Sequence, residues 1–120
     1  MIERNVGDYL QDILETIKSC ESFIEGMDFD QFVSDEKTIF AVNHALEIIG
    51  EATKHIPEKV RKGYPLVPWR KMAGIRDVII HAYFGVNLNV VWNTANERLS
   101  ELKIAIEKIL EKKILNKASF

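Results

Sequence analysis

The chain of 120 residues carries 16 Lys and Arg against 18 Asp and Glu, a net charge of −2, and 47% of it is apolar. That length predicts one domain over residues 1–120 with a modest core of its own, and the charge balance excludes a generically sticky nucleic-acid binder. No apolar run approaches the roughly 18–20 residues of a membrane span, and "MIERNVGDYL" lacks the basic-then-apolar pattern of a secretory leader.

Helical periodicity runs almost throughout. Val6, Leu10, Ile13, Ile17, Cys20 and Ile24 fall on one stripe of a first helix. Cys20 is the sole cysteine, so no internal disulfide forms; the composition suits a reducing cytoplasm, and Cys20 reads as a packing residue. Gly26 and "MDFDQF" break the stripe. Ser34, followed by Asp35 and Glu36, is the expected N-cap of a second helix. That helix carries Ile39, Val42, Leu46, Ile49, Thr53 and Ile56 on one face. Pro57 opens a short helical turn, "PEKVRKG", and "GYPLVP" is an irregular connection.

A third helix starts at Trp69, continues through Met72, Ala73, Ile79 and Ile80, and ends near Gly85. The last starts near Leu88 and buries Trp92, Ala95, Leu99, Leu102, Ile106 and Ile109. With no strand alternation and short connections, the expectation is an all-α antiparallel four-helix bundle with an extra short helix. Its wide apolar stripes would serve a core or a dimer interface equally well.

Charge is unevenly spread: residues 1–36 sum to −8 and residues 37–120 to +6. Between residues 54 and 76 seven bases face only Glu58. Such a stretch is either a solvated basic loop or a surface that steers an anionic partner.

The segment "AGIRDVIIHAYFG" (73–85) places Arg76, Asp77, His81 and Tyr83 in apolar surroundings. On an ideal helix Asp77 and His81 lie about 40° apart, close enough for a carboxylate–imidazole hydrogen bond. Arg76 and Tyr83 are nearly eclipsed, whereas Arg76 and His81 are about 140° apart. The latter two meet only if the arginine wraps, the helix distorts near its end, or a second subunit completes the site. Arginine with histidine suits RNA phosphodiester cleavage: imidazole moves a proton, guanidinium holds developing phosphate charge, and the 2′-hydroxyl is the nucleophile. The bland alternative is a structural Asp77–His81 hydrogen bond with Arg76 capping a neighbour.

"IRDVIIHAYFGV" resembles the R-x4-H-x-Y signature of the HEPN superfamily, carried by Arg76, His81 and Tyr83. "NHALEIIGEATKHIPEKVR", "VPWRKMAGIRDVIIHAYFGV" and "VVWNTANERL" resemble its HepT-like branch, over most of residues 40–110. The resemblance implies a HEPN-like helical homodimer with a composite cleft and metal-independent endoribonuclease activity. It implies a toxin of a type VII-like toxin–antitoxin pair, neutralised by a nucleotidyltransferase antitoxin that adds AMP to the motif tyrosine. By position, Arg76 would stabilise phosphate charge, His81 would be the acid or base, and Tyr83 the modified hydroxyl. Asp77 would be auxiliary, orienting His81. With RNA rather than DNA as substrate, Lys59, Arg61, Lys62, Arg70 and Lys71 are the expected phosphate contacts. The alternative is a non-catalytic helical module that uses the same cleft only to dock the nucleotidyltransferase.

The remaining candidates are weaker. His44, Glu51 and His55 span 11 residues of helix, about 16 Å, too far for one ion, so no metal is expected. Gly50 in "IIGEA" would let another helix approach, leaving Glu51 to pair with Arg76 or with His55. Trp69 and Trp92 read as core anchors before base-stacking platforms. No glycine-rich phosphate loop is present, and no cofactor is expected.

Overall fold

The computed structural model describes residues 4–77, 79 and 87–118, with side chains described as far as residue 112. Among these residues the chain is all-helical, without a strand. The first helix, α1, spans Val6–Ile24 and is opened by a reciprocal capping box. The Asp8 N–H donates to Asn5 Oδ1 and the Asn5 N–H donates to Asp8 Oδ2, each at 3.0 Å. The predicted stripe is its buried face, with Leu10, Ile13, Ile17 and Cys20 wholly inaccessible. Burial pushes the Cys20 thiol up to about 12, which keeps it protonated and unreactive at neutral pH.

The break at "MDFDQF" holds a helix that periodicity did not foresee. Gly26 adopts a positive φ of 76°, a conformation glycine takes without steric cost. Asp28 then caps a short helix, α2, at Phe29–Val33, whose Phe32 is fully buried. Helix α3 follows at Glu36–Lys54. Its N-cap is Asp35 and not the expected Ser34: the Thr38 N–H donates to Asp35 Oδ1 at 3.1 Å. That bond holds the Asp35 carboxyl below its ordinary range. Ser34 instead ends α2, its hydroxyl donating to the Asp30 and Gln31 carbonyls.

Helix α4 spans Glu58–Gly63 directly after Pro57, and α5 spans Trp69–Ala73 directly after Pro68. The third helix expected through Gly85 turns at Gly74, and residues 75–77 and 79 are again helical. The last helical run is three joined elements: α6 at Leu88–Asn93, a π turn at Thr94–Arg98, and α7 at Leu99–Ala118. The Thr94 hydroxyl donates to the Val90 carbonyl at 2.8 Å where the run passes from α6 into the π turn. All six apolar residues predicted for this run are buried.

Helices α1 and α3 run antiparallel. Tyr9 near the start of α1 stacks on His55 just past the end of α3, with ring centroids 4.4 Å apart. Helix α7 also runs antiparallel to α1: Trp92 meets Phe29 and Phe32 beyond the end of α1, and Lys103 Nζ reaches Glu21 Oε1 at 2.9 Å. Among the described residues three long helical runs thus enclose the core, and α5 packs across α3 on one side. Among the described residues no helix is long and apolar enough to cross a membrane.

Candidate active site

The placement of Arg76 begins at Gly50. A Cβ there would stand 2.7 Å from Ile75 Cγ2 and 3.2 Å from the Met72 carbonyl oxygen. Glycine therefore sets the close approach between α3 and the segment that carries Arg76, as the spacing of "IIGEA" suggested. Met72, Ile75 and Ile79 bury their side chains, anchoring this segment, while Arg76 and Asp77 are exposed. The Asp77 N–H donates to the Gly74 carbonyl at 3.1 Å, so the turn at Gly74 leads directly into the motif.

Among the described residues the Arg76 side chain makes no hydrogen bond or ion pair. Glu51, its possible partner, faces His55 and Lys54 at 3.8 and 3.6 Å. The guanidinium is thus exposed on a buried anchor, and among the described residues none of its five donors has a partner. His81 and Tyr83 lie outside the described residues, and so does any Asp77–His81 bond.

A second feature adjoins this segment in the chain. Helices α4 and α5 and the connection between them line an open cavity of about 830 Å³. Arg61, Lys62, Arg70 and Lys71 lie on its wall with Glu58, so the structure assembles four of the five expected phosphate contacts. Lys59 is exposed on α4 outside that wall. Arg61 has a further role that spacing did not reveal. Its Nε donates to the Ile56 carbonyl at 2.9 Å and its Nη2 to the Thr53 carbonyl at 2.8 Å, capping the C-terminus of α3.

Trp69 and Trp92 are core residues. Trp69 is buried with its Nε1 donating to the Tyr64 carbonyl at 3.0 Å, and Trp92 packs on Phe29 and Phe32. The prolines Pro65 and Pro68 on the wall of the basic cavity, with the exposed Leu66 next to Pro65 in the chain, were missed; their sequence signal, "PLVP", reads as punctuation. Leu66 is 98% exposed, against the trend for a residue of its type.

Comparison with known proteins bears on what this arrangement does. A family model described as "Ribonuclease HepT-like" matches residues 13–109. "Probable ribonuclease HepT" of Thermococcus cleftensis is 48% identical over 108 residues, covering 90% of this chain and 98% of that protein. Two Methanocaldococcus jannaschii proteins, named "Putative RNase MJ1216" and "Putative RNase MJ0125", are each 40% identical over 111 residues. Those matches cover 92% of this chain and 92% and 96% of theirs. No solved structure matches the chain.

Proposed function

The chain belongs to the ribonuclease HepT-like family, and from that premise we propose that it is a metal-independent endoribonuclease toxin whose cleavage pair is Arg76 and His81. The observation that carries this reading is the exposed Arg76, unpaired among the described residues and set on a buried anchor at the head of an intact R-x4-H-x-Y motif. A structural arginine in so apolar a segment would be expected to cap a carbonyl, as Arg61 does.

RNA supplies its own nucleophile. The 2′-oxygen bonds to the adjacent phosphorus as the P–O5′ bond breaks. One proton leaves the 2′-hydroxyl and one reaches the departing 5′-oxygen; His81 is the base for the first or the acid for the second, with water taking the other part. Arg76 binds the non-bridging oxygens, whose charge grows in the pentavalent transition state. The products are a 2′,3′-cyclic phosphate and a 5′-hydroxyl. The angle between Arg76 and His81 on an ideal helix favours a cleft to which two subunits of a homodimer contribute. A nucleotidyltransferase antitoxin silences the cleft by adenylylating Tyr83, whose added phosphate repels the substrate's own. Asp77 orients His81.

His81→Ala should abolish RNA cleavage and growth arrest while leaving the thermal unfolding curve in place. Full cleavage by a clean preparation of that variant would remove His81 from the mechanism. If the variant and the wild type are equally inactive yet bind a nucleotidyltransferase, the non-catalytic docking module replaces the enzyme. With antitoxin and ATP, the peptide of residues 77–98 should gain the mass of one AMP. Unimpaired neutralisation of Tyr83→Phe would assign silencing to occlusion alone.

A further inference from the structure

The cavity between α4 and α5 is basic and bordered by exposed apolar surface. Its cations are concentrated, with Lys62, Arg70 and Lys71 on the wall and Glu58 the one acid among the lining residues. None of these three cations has an ion-pair or hydrogen-bond partner among the described residues, in contrast to Arg61. Pro65 and Pro68, both exposed, lie on the same wall with φ angles fixed by their rings. Leu66, next to Pro65 in the chain, is 98% exposed but not itself on the wall; Pro65 and Leu66 together make an apolar ledge at its edge. At about 830 Å³ this open cavity lies within the roughly 300–1,000 Å³ typical of small-molecule sites.

We infer that this cavity is a binding subsite for single-stranded RNA, where Lys62, Arg70 and Lys71 hold consecutive phosphates and an unpaired base lies on the Pro65–Leu66 ledge. Base faces are available to an apolar ledge only when the strand is unstacked; in A-form duplex they are covered by their neighbours. A ledge pre-set by proline loses little freedom on binding. Arg76 follows Lys71 by five residues, across the turn at Gly74, so the subsite adjoins the motif in the chain. The subsite rests on the ribonuclease reading for the choice of RNA as its polymer. Arg61 contributes as a positioning residue, fixing α4 to the end of α3 through its two carbonyl contacts.

The test is equilibrium binding in a His81→Ala background, so that the probe survives. A fluorescent oligouridylate of about ten nucleotides, near the site sizes of known single-strand binders, is compared with an RNA hairpin stem of equal length. The single strand should bind at least about tenfold more tightly. Lys62→Glu with Lys71→Glu should weaken it more than about tenfold and flatten the log–log salt dependence by about 1.4, as for two lost phosphates. Leu66→Ser should cost about fivefold in affinity and leave the salt slope unchanged. Lys18→Glu with Lys37→Glu, an equal charge change on exposed residues at the far end of the α1–α3 pair, should have less than about a twofold effect. Equal losses in that control, or equal binding of polyglutamate at matched charge, would overturn the subsite in favour of a diffuse field. If the Lys62/Lys71 variant binds as before while the parent enzyme cleaves RNA, the subsite fails and the ribonuclease reading stands. If those variants lose binding but the parent never cleaves, the subsite stands and that reading fails.

Discussion

Arg61 shows why a basic residue cannot be assigned from its charge alone. It belongs to the stretch that composition marks as an anion surface, yet two of its guanidinium nitrogens are committed to the Thr53 carbonyl in the last turn of α3 and to the Ile56 carbonyl just past it. The Thr53 carbonyl also accepts from the Ile56 N–H at 3.0 Å, and a cation at this end of α3 adds a second bond there and suits the helix dipole. Arg61→Ala should therefore destabilise the fold by about 1–3 kcal/mol, the usual loss for hydrogen bonds to a charged group. Arg61→Lys should recover only part, because an ammonium cannot reproduce the planar fork. Chemical denaturation of the two variants decides it: unfolding midpoints equal to wild type would return Arg61 to the list of free phosphate contacts. Cys20 is the opposite case, where the stripe position alone identified a buried, inert thiol.

At the scale of elements, the crossing of α3 by the segment around Ile75 depends on one missing methyl group. Alanine is the better helix former by about 1 kcal/mol, so an exposed Gly50 would gain from the change. Here the new Cβ would meet Ile75 Cγ2 at 2.7 Å and the Met72 carbonyl at 3.2 Å. Gly50→Ala should thus be net destabilising by about 1–3 kcal/mol. It should also lower RNA cleavage by displacing Arg76. A variant that unfolds later than wild type, with full cleavage, would show the two helices to be less closely coupled than their contact implies. The sequence made this crossing legible, as it did the buried faces of α1, α3 and the final run, because each face repeats at helical spacing. It hid α2, since five residues are too few for a period, and it hid the π turn, which keeps Ala95 and Leu99 inside while adding a wider loop to the ladder. The cap moved from Ser34 to Asp35 because both residues suit the position and only the register of α2 decides between them. At the site, the motif and the basic stretch were legible as residue types. The split between capping and free cations, and the Pro65–Leu66 ledge, needed three-dimensional placement.

For the whole molecule, the central question is whether Arg76 and His81 of one cleft come from one chain. The ideal helical angle of about 140° sets them on different faces, and α5 turns at Gly74 immediately before the motif. In the proposed homodimer a twofold axis would resolve the mismatch by letting one subunit supply the arginine and the other the histidine. The arrangement makes a distinctive prediction. If the proposed homodimer forms, Arg76→Ala and His81→Ala dimers should each be inactive, but unfolding and refolding them together in equal amounts should yield a random mixture in which half the dimers are mixed. In a mixed dimer with shared clefts, one cleft contains both mutations and the other contains neither. The mixture should then recover about a quarter of wild-type cleavage. If each cleft drew both residues from the same chain, every cleft in the mixture would lack one of them and no activity would return. Measuring cleavage before and after co-refolding, with the mixed dimer isolated by a charge tag on one variant, separates the two geometries. The acidic first 36 residues, which lie outside the basic stretch, offer a natural place for such a tag, because added acids there leave Lys62, Arg70 and Lys71 untouched.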